Sequence, residues 1–222
     1  MRILFVGDSM TLGSAGDYTW RYRMWQHLTR TCEEPVHVVG PHTALRENSH
    51  AYAADDFPPS ARRHLAGWGC GWIHQAPRIA EVVHAHQPDT LLVSLGLIDL
   101  GFYTNPRQTE VNVRRFLAEA RGAKSTLRVA ILPVLRNIRA ETDPEFAAHR
   151  RQFGALLEEV VAELSTPSAP LLLVSAPKDW DVARDTYDGT HPSVEGEHRI
   201  AAAFAAALHQ AWQLGGRYGR VG

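Results

Sequence analysis

The sequence predicts an α/β fold in which a parallel sheet of about five strands lies between layers of helices. Short apolar runs alternate along the chain with longer segments of helical periodicity. The runs are rich in Val, Ile and Leu on both faces, which is typical of buried parallel strands. The strands are predicted over residues 3–6, 36–39, 90–94, 127–132 and 171–174.

Helices fill most of the segments between these runs. Asp17 or Thr19 can cap the first helix, and Asp143 followed by Pro144 is typical of the start of another. The regular alternation favours right-handed crossovers between parallel strands. The helices are predicted over residues 20–30, 76–86, 108–121, 144–164 and 193–214.

Length and composition indicate one domain without a polyanionic partner. The chain has 222 residues and a formal net charge of −1, with no basic run that would indicate nucleic acid. We expect a single domain over residues 1–214 and a flexible, glycine-rich tail over residues 215–222. The sequence does not indicate the oligomeric state.

The compartment and the metal content are predicted from what the sequence lacks. The two cysteines, Cys32 and Cys70, form no CxxC pattern, and the twelve histidines are scattered rather than grouped at ligand spacing. No run approaches the roughly 20 apolar residues of a membrane span, and the first apolar run is too short for a signal peptide. We therefore expect a cytoplasmic protein with no membrane span and no metal.

Three residues with the chemistry of a nucleophile, a base and an orienting acid lie at opposite ends of the chain. Ser9 follows the first predicted strand, and Asp188 and His191 follow the last one. Carboxyl ends of parallel strands meet at one edge of a sheet, so the fold can bring these residues together. A histidine oriented by an aspartate activates a serine for attack on an acyl carbon. Either segment alone could be an ordinary polar turn.

Four segments, in this order along the chain, resemble the conserved blocks of the SGNH (GDSL-type) esterase and lipase superfamily. The resemblance implies a flavodoxin-like three-layer α/β/α sandwich and serine chemistry without a cofactor. It also implies that the backbone N–H groups of Ser9 and Gly71 bind the oxyanion. The four segments are Gly7-Asp8-Ser9-Met10-Thr11, Gly67-Trp68-Gly69-Cys70-Gly71-Trp72-Ile73, Gly96-Leu97-Ile98-Asp99 and Asp188-Gly189-Thr190-His191-Pro192.

Two positions depart from the family pattern. Met10 replaces the usual leucine, which is a mild, volume-conserving change. Ile98 stands where the family has an asparagine whose amide completes the oxyanion hole, and isoleucine cannot donate a hydrogen bond. Loss of one such donor costs roughly 10²–10³ in turnover. Thr104 or Asn105 could replace the missing donor.

Three functions remain open on the sequence alone. The first is hydrolysis of a small-molecule ester or thioester through an acyl-enzyme on Ser9. The second is transfer of an acyl group, which could come from a carrier-bound thioester, to an alcohol or amine. The third and least favoured is a binding module without turnover. Candidate substrate-binding residues are Asp8, Asp17, Arg21, Trp72, Asp99 and Asn105, and the long connection over residues 41–71 is either a wall of the site or a packed surface loop.

Overall fold

The computed structural model describes residues 1–220 and contains a six-stranded, entirely parallel sheet. The strand order is β2-β1-β4-β5-β6, and the short β3 pairs with the carboxyl end of β1. With β3 set aside, this is the 2-1-3-4-5 order of flavodoxin-like folds. The strands are β1 (Arg2–Gly7), β2 (His37–Val38), β3 (Leu65–Ala66), β4 (Thr90–Ser94), β5 (Arg128–Leu132) and β6 (Leu171–Leu173).

Five long helices flank the sheet and coincide with the predicted ones. Their ends differ by up to three residues, and the helix predicted over 144–164 matches at both ends. They are α2 (Trp20–Thr31), α4 (Ile79–His86), α5 (Pro106–Ala123), α7 (Pro144–Leu164) and α9 (Val194–Trp212).

Four further helices have only four or five residues each and lie in the loops that follow strands. They are α1 (Ser9–Leu12), α3 (Trp72–Gln75), α6 (Ile138–Thr142) and α8 (Val182–Asp185). A π-helical turn also covers Asp99–Tyr103.

Aromatic side chains connect the sheet to its helices. Phe5 of β1 meets the edge of Trp20 at 5.2 Å, and Trp20 stacks on Phe204 of α9 at 4.9 Å. Trp72 meets Phe116 of α5 edge-on at 5.1 Å. All five rings are fully buried, so they fix α2, α9, α3 and α5 against the core. The α/β prediction is confirmed, with one more strand than expected, because the two residues of β3 lie inside the long connection.

The described part of the C-terminal segment runs back along α9. The Tyr218 hydroxyl lies 2.8 Å from His198 Nδ1, and Arg220 Nη1 donates to Glu195 Oε2 at 3.0 Å. The last two residues of the predicted tail, 221 and 222, lie outside the described residues. The single domain and the flexible tail stay predictions. Within residues 1–220, no helix combines the length and the apolar character that crossing a bilayer requires.

Candidate active site

Ser9 lies in a tight turn between β1 and α1. Asp8 caps α1, since its Oδ1 accepts the Met10 N–H at 3.0 Å. A side chain at Gly7 would collide with the side chain of Thr11, so the close return of the chain requires glycine there. The turn leaves Ser9 as the first residue of α1, at the carboxyl edge of the sheet.

A continuous chain of hydrogen bonds connects Ser9 to the C-terminal loop. Ser9 Oγ lies 2.9 Å from His191 Nε2, and His191 Nδ1 lies 2.6 Å from Asp188 Oδ2. Asp188 Oδ1 accepts the backbone N–H groups of Thr190 at 3.0 Å and His191 at 2.8 Å. Burial favours the neutral acid, but these hydrogen bonds outweigh it and hold the pKa of Asp188 below its ordinary value. An ionised Asp188 accepts the Nδ1–H and leaves Nε2 as the acceptor for the Ser9 hydroxyl.

Aromatic rings hold the plane of the His191 imidazole. Trp68 lies nearly parallel to it with ring centres 4.7 Å apart, and Tyr187 does so at 5.8 Å. The Arg46 guanidinium covers the Trp68 ring at 3.9 Å. Part of the long connection over residues 41–71 therefore forms a wall of the site.

Gly71 and Asp99 are packed directly against each other. The buried Asp99 carboxylate accepts the N–H groups of Trp72 at 2.8 Å and Ile73 at 3.1 Å, and a side chain at Gly71 would collide with it. The Gly71 N–H itself donates to His74 Nδ1 at 3.0 Å. The backbone donor expected for the oxyanion is therefore hydrogen-bonded inside the protein.

Burial raises the pKa of two carboxyl groups near Ser9. It raises the pKa of Asp99 above its ordinary value, against the hydrogen bonds from Ile73 and Trp72. It raises the pKa of Asp8 to about 7, and the nearby Asp99 charge adds to this.

A cleft of about 470 Å³ opens above Ser9, and Ile98 is part of its wall. Six of the fourteen lining residues are aromatic or aliphatic, six carry polar side chains and two are glycines. The lining residues are Ser9, Trp68, Gly69, Leu97, Ile98, Gly101, Phe102, Tyr103, Asn137, Arg139, Phe146, Asp188, Thr190 and His191.

The two donors suggested for the position of Ile98 lie outside the lining of this cleft. Asn105 caps α5, with its Oδ1 accepting the Gln108 N–H at 3.0 Å. The Thr104 hydroxyl lies 2.8 Å from that of Thr109. Both side chains are used in starting α5.

Arg21 and Trp72 belong to the core rather than to the cleft. The Arg21 guanidinium is fully buried and donates to the carbonyl oxygens of Thr11 at 2.7 Å, Arg62 at 2.9 Å and Leu12 at 3.0 Å. It therefore ties the end of α1 to the long connection. Trp72 is equally buried, in its edge contact with Phe116. This burial removes both residues from the substrate-binding set.

Asp8 and Asp99 are also buried, and the contacts of both are to backbone N–H groups. Asp17 is partly exposed, and its Oδ2 accepts the Ser14 N–H at 2.7 Å. Burial raises the pKa of Asp17, and the charges of His191 and Asp188 act on it in opposite directions. Among the six substrate-binding candidates, Asp17 is the partly exposed one beside the Asp188–His191 pair.

Comparison with known proteins decides the family. The model of the GDSL-like lipase/acylhydrolase family matches residues 5–199. The chain belongs to this family. It is therefore an enzyme of the hydrolase class that acts on esters, as the resemblance of the four segments predicted. No curated protein matches the sequence significantly.

Solved structures of similar fold include several esterases. A carbohydrate esterase of family 3 from Talaromyces cellulolyticus aligns with a TM-score of 0.77 at 20% identity, covering 95% of this chain and 97% of that one. A family 3 carbohydrate esterase from Clostridium thermocellum gives 0.75 at 19% identity, covering 97% and 99%. An acetyl esterase mutant with acetate ion gives 0.76 at 20% identity, covering 95% and 97%. At these identities the likeness shows that the GDSL-like chain shares their fold.

Several cleft residues of this GDSL-like hydrolase had no signal in the sequence. Phe102 and Tyr103 lie on the π-helical turn, Asn137 and Arg139 follow β5, and Phe146 lies on α7. The position of the segment after β5 is the one available indication that it lines the site, because ligands bind beyond the carboxyl ends of parallel strands. The cytoplasmic location and the absence of a metal stay predictions.

Proposed function

We propose that the protein hydrolyses a small-molecule ester or thioester through an acyl-enzyme on Ser9. His191 acts as general base and then as general acid, and Asp188 orients it. The observation that carries the proposal is the unbroken hydrogen-bond chain from Asp188 through His191 to Ser9 Oγ, which opens into the cleft.

The proposed reaction has two steps, acylation of Ser9 and hydrolysis of the acyl-enzyme. Ser9 Oγ attacks the acyl carbon while its proton passes to His191 Nε2, and the carbonyl electron pair moves to the oxygen. When this pair returns, the bond to the leaving alkoxide or thiolate breaks, and His191 gives that group its proton. Water then repeats the sequence at the acyl-enzyme and releases the acid and free Ser9.

The oxyanion requires donors that are aimed at it before the reaction begins. The N–H groups of Ser9 and Gly71 are the proposed backbone donors. The Gly71 N–H donates to His74 Nδ1 in the free protein. When the oxyanion forms, this N–H has to leave His74 or form a bifurcated hydrogen bond to both acceptors. His74 therefore competes with the substrate for one of the two backbone donors.

Substitution of His191 and Asp188 tests the proposed roles with a p-nitrophenyl ester. We expect His191→Ala and Asp188→Asn to lower kcat by at least about 10³-fold. His84→Ala on the exposed side of α4 is the matched control and should retain wild-type turnover. Turnover within tenfold of wild type in His191→Ala would contradict the proposal.

Transfer to an alcohol or amine is the second candidate, because apolar side chains such as Leu97, Ile98 and Phe146 line the cleft beside Ser9. Such a lining favours an organic acceptor over water at the acyl-enzyme. The test is the ratio of transfer product to acid when simple alcohols and amines are added. A ratio well above the molar ratio of acceptor to water supports transfer, and a ratio at or below it supports hydrolysis.

A further inference from the structure

Asn137 presents an unpartnered amide to the cleft. Asn137 is only 6% exposed and lines the same cleft as Ser9 and Ile98. Its Oδ1 caps α6 by accepting the Ala140 N–H at 3.0 Å. Since an accepting atom must be the oxygen, the Nδ2 group is the other end of the amide. Within residues 1–220, this Nδ2 has no hydrogen-bond partner and keeps some accessible surface, so a group in the cleft can reach it.

The backbone around Asn137 is fixed relative to the loop that carries Asp188. The Ile138 N–H donates to the Gly189 carbonyl at 2.7 Å. Arg136 Nη2 donates to the Trp180 carbonyl at 2.7 Å, and Trp180 Nε1 donates back to the Arg136 carbonyl at 2.8 Å. Hydrogen bonds on both sides therefore hold the amide in place before any substrate arrives, as a donor for a developing charge must be held.

The proposed oxyanion site is short of donors without Asn137. Ile98 offers a hydrocarbon side chain, and the Gly71 N–H is already bonded to His74 Nδ1. Arg139 is another donor in the cleft, but its side chain is 43% exposed, and its Nε and Nη1 already donate to Asp143 at 3.2 Å and to the Gly101 carbonyl at 2.6 Å. Asn137 is thus the cleft residue whose side chain combines an amide, deep burial and a free N–H.

We infer that the Asn137 Nδ2–H donates to the substrate acyl oxygen in the transition state and so replaces the donor that Ile98 lacks. This inference rests on the proposed function, because it requires an oxyanion at the carbon attacked by Ser9. It makes Asn137 a catalytic residue supplied by the loop after β5 instead of the loop after β4.

The test uses two substitutions that a helix tolerates at its N-cap and that remove the amide. Aspartate and glycine are both accepted at N-caps, and neither offers a side-chain N–H. We expect Asn137→Asp and Asn137→Gly to lower kcat on a p-nitrophenyl ester by roughly 10²–10³-fold, with KM changed less than threefold. The glycine variant separates loss of the donor from the added charge. Asn112→Asp, which makes the same charge change on α5, should keep wild-type turnover.

A second substitution tests the replacement of Ile98 directly. Ile98→Asn introduces the missing amide. It should raise the kcat of the Asn137→Gly variant at least tenfold, and should raise the kcat of the wild-type protein by a smaller factor. Unchanged kcat in a folded Asn137→Gly would overturn the inference, and so would a loss that Ile98→Asn does not recover. Turnover of the wild-type and Ser9→Ala proteins is measured in parallel. Turnover that persists in Ser9→Ala would contradict the proposed function, whereas the Asn137 variants test only the role of Asn137.

Discussion

Replacing His74 by leucine removes the acceptor that the Gly71 N–H uses in the free protein. The bond is a neutral N–H···N contact of 3.0 Å, and such bonds contribute about 1 kcal/mol net. If the Gly71 N–H has to leave His74 to reach the oxyanion, removal of the competitor lowers the barrier by about that amount. This corresponds to a roughly fivefold increase in kcat. Leucine also keeps an apolar body beside Tyr103, whose ring centre lies 4.9 Å from that of His74.

The assay is kcat and KM on a p-nitrophenyl ester, together with the inhibition constant of a boronic acid whose serine adduct carries an oxyanion. His74→Leu should raise kcat about fivefold and tighten boronate binding to a similar extent, with little change in KM. His74→Gln is the matched control, because glutamine at the third helical position can accept the N-cap N–H. It should behave as wild type. An unchanged or lower kcat in a folded His74→Leu would refute the competition between His74 and the oxyanion.

Two predictions concern stability. Arg21→Met should lower the free energy of unfolding in urea by about 3 kcal/mol or more, because three carbonyl oxygens lose their donor; a loss under about 1 kcal/mol would contradict this. Burial raises the pKa of Glu197 to about 8, above its ordinary 4.5, so the folded protein binds this proton more tightly than the unfolded chain. The stabilisation of the folded protein by this tighter proton binding is complete below pH 4.5 and is lost as the pH rises to about 8. Between pH 4.5 and 8, the free energy of unfolding should therefore fall by a few kcal/mol less in Glu197→Gln than in the wild-type protein. Identical pH profiles of the two proteins would contradict the raised pKa of Glu197.

The sheet and its long helices were predictable because each is long enough to carry a periodic pattern. Strands β1 and β4 are buried on both faces, and α7 begins with the Asp143-Pro144 cap that the sequence shows. Strand β3 has two residues, and the short helices have four or five, which is too few for a pattern to appear. These short elements form because tertiary contacts hold them, as the buried Asp99 carboxylate holds the first N–H groups of α3.

The position of Ser9, Asp188 and His191 was predictable from strand order, because parallel strands deliver their following loops to one edge. The choice between lining the cleft and packing in the core was not predictable. Arg21 is charged and lies close to Ser9 in sequence, yet its guanidinium is buried against backbone carbonyls. The capping of Gly71 by His74 and the free Nδ2 of Asn137 depend on side-chain directions that a single sequence does not encode by spacing.

The site of covalent labelling tests serine acyl chemistry at Ser9 most directly. A fluorophosphonate should add one label to the wild-type protein, peptide mass spectrometry should place it on Ser9, and the Ser9→Ala variant should take up none. His191→Ala should label much more slowly, because the serine then has no base. Undiminished labelling of Ser9→Ala, or a label on another residue of the wild-type protein, would contradict serine acyl chemistry at this site.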